Sequence, residues 1–427
     1  MAIPALVKIF VVFGLLLIMN RVRFPLSLAL LVGAVVLGIW MGLGPVLWIQ
    51  TALMSLANLQ TISLLLIVWL IMVMSLIMKD SGHMERVVES FTHLSKDART
   101  VGSVMTALIG LLPMPGGALF SAPLVESSFS NHAVSNEKKT LLNYWFRHLW
   151  EYWWPLYPGV VLAVALLNVE TWRFMALMAP MSFICLVVGF FFILRPMGKM
   201  DEHRGEGVSW SRVKNFLWEI MPILIVVFVI LVLVLLTGII GLLGFSMKIP
   251  GTVSILPGLV VAIIWVSIIN KMPFKRVMVM SVDRSIIPMI LLILVIMIFK
   301  GIMVESQAVF QIREELIAYK IPITLAIMII PFISGLITGL AIGFVGTSFP
   351  LIIPLIQSND LLHFLSFAGL AYTFGYMGMM LSPLHLCFLV SKDYYHASLL
   401  KSYQQLIPPV ITVMVITMVL FFTLRAI

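Results

Sequence analysis

Arg147, His148 and Glu151 fall together inside an otherwise apolar, aromatic-rich stretch. Arg147 and Glu151 are four apart, so on a regular α-helix they share a face. A carboxylate held there could take up a proton or a sodium ion, and the guanidinium could hold an anion. The same residues could instead form a neutralising ion pair near a membrane surface, with Trp145, Trp150, Trp153 and Trp154 as an interfacial belt. The sequence leaves both open. His385 stands beyond a second break, Ser382-Pro383-Leu384-His385, and is either a hydrogen-bonded structural histidine or a proton relay. Tyr157 holds the corresponding place after Trp154-Pro155-Leu156. Two further clusters are small or hydroxylated: Pro115, Gly116, Gly117 and Ser121, then Gly346, Thr347 and Ser348. Such residues let backbone groups approach a ligand, or they simply allow close helix packing. Two clusters in corresponding positions favour the ligand site.

The elements that must carry these residues are membrane spans. Of 427 residues, 61% are hydrophobic and only 11% are charged, too few to cover a soluble surface. A span takes about 20 apolar residues, so the chain has room for about ten. The net charge of +9 fits a cytoplasmic excess of Lys and Arg better than a nucleic-acid partner. Lys8 inside the first apolar run, with no small-residue cleavage site after it, reads as a retained span rather than a signal peptide. Cys185 and Cys387 lie in apolar runs and read as small core residues, not as a disulfide or a metal knuckle. Lys300 sits near the outer end of its span and can snorkel. Asp80 and Glu305 end spans, and Glu126 falls where the first hairpin returns to the cytoplasm. The spacings contain no nucleotide-binding loop, His-Glu-x-x-His or nucleophile–base pair, so enzyme activity and a metal or organic cofactor are not expected.

The chain repeats itself. Pro25 and Pro257, 232 residues apart, each open an apolar run, and Asp80-Ser81 and Glu305-Ser306, 225 apart, each end one. A short charged stretch follows in both halves, then a Gly/Pro-broken apolar segment, then a broken span and a closing span. The first half covers 1–200, with a hairpin at about 100–129; a hydrophilic linker covers 201–214; the second half covers 215–427, with a hairpin at about 321–357. Placing the linker in the cytoplasm puts the basic loops of both halves inside only when the halves are inverted. The expected fold is an all-α polytopic membrane protein of about ten transmembrane helices and two re-entrant hairpins in two inverted-topology repeats. Chain breaks in lipid leave backbone groups unpaired, at several kcal/mol each, unless protein or water covers them. Paired breaks in inverted halves are therefore a pointer to a midplane transport site.

This architecture resembles the ion transporter superfamily, which includes dicarboxylate, citrate, gluconate and arsenite permeases. The motif Pro113-Met-Pro-Gly-Gly-Ala-Leu-Phe-Ser-Ala-Pro123 carries the closest likeness, to a family labelled domain-of-unknown-function 401. The resemblance implies a homodimer in which a moving domain carries the hairpins past a scaffold. The expectation is a secondary transporter, of elevator type, in the inner membrane, for a small anionic solute driven by sodium or protons. Pro115, Gly116, Gly117, Ser121, Gly346, Thr347, Ser348, Tyr157, Ser382 and His385 would bind the solute, and Arg147, His148 and Glu151 would couple it to the ion. The alternative is a flippase for a lipid or lipid-linked anion, suggested by the aromatic stretch 144–157.

Overall fold

The computed structural model describes residues 3–22, 24–92, 97–111, 113, 117–130, 132–198, 200, 209–242, 253–356 and 360–426. These residues are all-helical, with no strand among them. The first half runs α1 (Ala5–Arg21), α2 (Leu26–Trp40), α3 (Pro45–Ala57), α4 (Leu59–Asp80), α5 (His83–Thr92), α6 (Ala98–Ile109), α7 (Gly117–Ser128) and α8 (Asn136–Trp145). It continues through a 3₁₀ segment, Phe146–Tyr152, into α9 (Pro158–Leu167) and α10 (Thr171–Gly189). After α11 (Trp210–Glu219) come α12 (Met221–Leu242), α13 (Ile255–Ile269), α14 (Phe274–Ser281), α15 (Ile287–Glu305) and α16 (Ala308–Ala318). The chain ends with α17 (Ile323–Thr338), α18 (Ala341–Ile352), α19 (Leu361–Met380), α20 (Leu386–Tyr394) and α21 (Leu399–Ala426).

Among the described residues, five stretches are long and apolar enough to cross a membrane: Leu59–Asp80, Thr171–Met197, Met221–Ile240, Phe274–Glu305 and Leu399–Thr423. Eight shorter apolar helices accompany them. The breaks set many of these boundaries: the first broken segment is divided into α8, the 3₁₀ segment and α9. Burial differs sharply among the long helices. Of the most apolar window, 67% is buried in α4 but only 17% in Met221–Ile240. Phe228 and Leu235 point outward from α12, 66% and 65% exposed. An apolar helix turned outward needs a solvent other than water, which marks a membrane protein.

Local chemistry places the helix ends. Asn58 and Asp97 accept hydrogen bonds from Gln60 N and Arg99 N at the starts of α4 and α6, both at 2.9 Å. Asp360 does the same for Leu362 N and His363 N at the start of α19. The halves interlock rather than sit side by side: α15 packs on α2, α3 and α4, and α18 on α9. The N-terminus of α1 is capped from the other half, with Ala5 N and Leu6 N donating to the Glu315 carboxylate at 2.6 and 2.7 Å. At the opposite pairing, Arg276 Nε meets Asp80 at 2.7 Å. His83 Nε2 donates to Glu219 O at 2.7 Å, while Arg86 Nε reaches the Glu219 carboxylate at 3.3 Å.

Candidate functional site

The two broken segments meet. In the first, residues 146–152 wind as a 3₁₀ helix, which places residues three apart in register instead of four. Glu151 therefore lies over His148, with Oε1 3.7 Å from Nε2, and the shared α-helical face expected for Arg147 and Glu151 does not form. In the second, α19 ends at Met380 and α20 restarts at Leu386, so His385 stands at the N-cap. Its Nε2 lies 3.0 Å from Nε2 of His148. Arg147, His148, Glu151 and His385 are all at most 8% exposed.

Hydrogen-bond accounting fixes part of the proton inventory. Nδ1 of His148 lies 2.6 Å from the Tyr144 carbonyl, which can only accept, so Nδ1 carries the hydrogen. In the neutral imidazole Nε2 is then an acceptor, and His385 Nε2–H must donate to it. The pair has room for one proton between the two Nε2 atoms, and Glu151 is the adjacent acceptor. Tyr376 and Tyr372 donate to the carbonyls of His148 and Glu151 at 2.6 and 2.7 Å. Those carbonyls are the ones a break in the α-helical ladder releases, and in an apolar interior they need partners.

Each helix pair abuts the break of its own half. In the first pair, α6 and α7, a Cβ on Gly110 would lie 2.0 Å from the Arg147 carbonyl oxygen, and one on Gly117 would lie 2.3 Å from its guanidinium. Tyr157 donates its hydroxyl to the Gly110 carbonyl. In the second pair, α17 and α18, the turn is at Gly339, which takes φ +63°, and Leu340. A Cβ on Gly339 would lie 3.0 Å from the His385 nitrogen and from Ser382 Oγ. Ser382 is fully buried and accepts from Leu384 N at 3.1 Å, holding the second break in shape.

The sequence-expected residues divide accordingly. Arg147, His148, Glu151, His385, Tyr157, Ser382 and Gly117 come together around the breaks. Pro115 and Gly116 lie outside the described residues. Gly346, Thr347 and Ser348 are not at a turn. They sit inside α18, where Thr347 and Ser348 donate to the Gly343 and Phe344 carbonyls at 2.8 and 2.6 Å. Hydroxyls bonded back to their own helix are occupied. A Cβ on Gly346 would lie 2.3 Å from Ile296, so this glycine lets the Ile296 side chain of α15 seat against α18. Ser121 is buried in α7, one level from the turn, and donates to Asn143 Oδ1 at 2.6 Å. The tryptophans are not a surface belt: Trp145, Trp150 and Trp153 donate to Cys185 O, Ala107 O and Ser182 Oγ at 2.8–2.9 Å.

Several residues escaped the sequence reading. Asn143, fully buried, joins α7, α8 and α20: its Nδ2 donates to Ala118 O at 3.0 Å and to Ser391 Oγ at 2.8 Å. Its signal was a lone amide in an apolar run, four before Arg147. Tyr372 and Tyr376, one helical turn apart on α19, gave the same kind of hint. A cavity of about 410 Å³ lies at the far end of α9, lined by Asn58, Gln60, Ser63, Asn168 and Lys300. Lys300 Nζ donates to Gln60 Oε1 at 3.1 Å there instead of snorkelling freely. With ten residues at 1.5 Å each, α9 spans about 15 Å between this cavity and the break. No curated protein matches the chain. A family model matches residues 2–423, and the chain belongs to that family, described as Protein of unknown function (DUF401).

Proposed function

We propose that the chain is a secondary active transporter of a small anionic solute, built from two inverted halves that each contribute one re-entrant hairpin and one broken span. The observation that carries this is the meeting of the two breaks: His148 and Glu151 from one half and His385 from the other form one buried polar cluster. The matching order of elements supports the repeat, with α4 to α10 corresponding one for one to α15 to α21 once the 3₁₀ segment is joined to α8. In this scheme the helix pairs α6–α7 and α17–α18 are the hairpins. Ten spans result when α1, α2, α13 and the broken pairs α8–α9 and α19–α20 join the five long stretches, and the linker 201–214 faces the cytoplasm.

Charge balance gives the coupling. Arg147 and Glu151 cancel when both histidines are neutral. Adding an anion leaves a net negative charge in an apolar interior, which costs about 2.5–3.5 kcal/mol even on insertion scales. A co-transported proton or sodium ion at Glu151 restores neutrality. The cavity beside Lys300 offers an anion its approach, and α9 connects that cavity to the cluster. The aromatic stretch 144–157 points inward and is hydrogen-bonded, so it offers no amphiphile surface of the kind a flippase needs.

Counterflow in proteoliposomes tests the proposal. Vesicles preloaded with a small carboxylate or oxyanion take up the labelled solute transiently above equilibrium. Sealed vesicles of folded protein that show no counterflow across carboxylates and oxyanions would remove the carrier reading. Glu151→Gln is expected to abolish uptake driven by a proton or sodium gradient while exchange persists; gradient-driven uptake equal to that of the unsubstituted protein would take Glu151 out of the coupling.

A further inference from the structure

We infer that His148, His385 and Cys387 form a binding site for a divalent transition-metal ion of the zinc class, with Glu151 as the fourth ligand. The ligand atoms of the two histidines and the cysteine all lie within 4.8 Å of one another. The two Nε2 atoms are 3.0 Å apart, and Glu151 Oε1 is 3.7 Å from the His148 nitrogen. Tetrahedral zinc with Zn–N bonds of about 2.0–2.1 Å holds its nitrogens about 3.3 Å apart, so the imidazoles need to part by only a few tenths of an ångström.

Three features distinguish this group from a chance meeting of polar side chains. The first is the donor set. Two imidazoles, a thiol and a carboxylate are the ligands zinc takes, and oxygen-preferring cations such as magnesium do not. The second is the outer support. Nδ1–H of His148 is held by the Tyr144 carbonyl at 2.6 Å, which fixes the tautomer and leaves Nε2 with its lone pair toward His385. That is the arrangement by which metal-binding histidines are oriented. The third is charge. A thiolate and a carboxylate supply two negative charges against the ion's two positive ones, so the ligands offset the ion and the occupied cluster keeps only the charge of Arg147.

The ion and the shared proton compete for the same lone pairs: the metal needs both Nε2 atoms unprotonated and releases the thiol proton from Cys387. Its ligands also come from both halves, two from the 3₁₀ segment and two from the start of α20. Occupancy therefore ties the two breaks together. None of this depends on the transport reading.

Cobalt(II) is the probe. Purified, chelator-treated protein is expected to bind one cobalt per chain, with a near-ultraviolet sulfur-to-cobalt charge-transfer band and the intense visible bands of tetrahedral coordination. Zinc should bleach both. Cys387→Ser should lose the charge-transfer band, Cys185→Ser should keep it, and His385→Gln should weaken binding by more than the roughly 10- to 100-fold typical of an outer-shell partner. A band that survives Cys387→Ser, or no stoichiometric cobalt binding, overturns the assignment. Zinc should also slow alkylation of Cys387 in the Cys185→Ser protein, which needs no substitution at the site. Unchanged alkylation overturns it equally. Because both readouts are binding measurements, counterflow without metal binding would sink this site alone, and metal binding without counterflow would sink the carrier alone.

Discussion

The two helix-pair turns do the same structural job with different chemistry. Gly110 after α6 and Gly117 at the start of α7 press on Arg147, and the break beside them carries Arg147, His148 and Glu151. The α17–α18 turn presses on Ser382 and His385, and its break contributes an imidazole and a thiol but no formal charge. One half supplies charge and the other supplies shape and neutral donors. A pair of identical charged breaks would bring like charges together in an apolar interior, at several kcal/mol. Asymmetric breaks avoid that cost and leave a cluster with zero net charge when its histidines are neutral.

The difference also appears in how tightly each turn is seated. Gly110 meets backbone, the Arg147 carbonyl, which cannot swing aside. Gly110→Ala is therefore expected to cost at least the 1–3 kcal/mol of ordinary overpacking and to be the most damaging single methyl at either turn. Thermal unfolding in detergent measures it, and a shift smaller than that of Gly339→Ala would show that the first turn is the looser one. Asn143→Ala comes next. It leaves Ser121, Ser391 and the Ala118 carbonyl without their shared partner, and an orphaned buried polar group costs about 1–3 kcal/mol. The same measurement checks it, and Ser391→Ala should be milder because it removes only one of the three bonds. At the second turn, Gly339→Ala forces a left-handed φ on a residue with a Cβ, for about 1–2 kcal/mol.

The smallest effect concerns the amphipathic helices ahead of each pair. Helix α16 is held to the other half by the Glu315 carboxylate on α1, and α5 by His83 and Arg86 on Glu219. Burial holds the His83 imidazole below its ordinary value, and the bond to the Glu219 carbonyl only partly offsets it. The unfolded chain therefore takes up this proton first. The stabilisation is complete above the ordinary value of about 6.5 and declines as pH falls below it. Hydrogen exchange should show α5 loosening before α16 between neutral and mildly acidic pH. His83→Gln should remove the pH dependence, and a variant that keeps it would assign the effect elsewhere.

The breaks themselves were legible because they are local. Proline and glycine interrupt a helix wherever they fall, and Trp154 to Gly159 and Ser382 to His385 both became real interruptions. The charged residues were legible for the same reason, since ionisable groups in an apolar run need partners wherever the chain goes. The turn at Gly339 had a readable signal too, a glycine closing an apolar helix, and the cluster Gly346-Thr347-Ser348 drew attention away from it. Small and hydroxylated residues look alike in sequence whether they line a ligand or seat a neighbouring helix. The Ile296 side chain that seats against Gly346 comes from a helix fifty residues earlier, out of reach of any local pattern.

The sequence alone determined that this chain is helical, with apolar helices long enough to cross a membrane, and that its helices break at Trp154 to Gly159 and at Ser382 to His385. Composition and period are properties of neighbouring residues, and the bilayer permits few alternatives. Only the tertiary structure decided what the breaks bring together. His148 and His385 are 237 residues apart, and nothing in either one's neighbourhood names the other. Cys387, read as apolar filler, becomes a ligand candidate only because α20 starts where the 3₁₀ segment turns. The 3₁₀ winding itself, which pairs Glu151 with His148 instead of Arg147, leaves the carbonyls of His148 and Glu151 to the tyrosines of α19, which hold them from outside the segment.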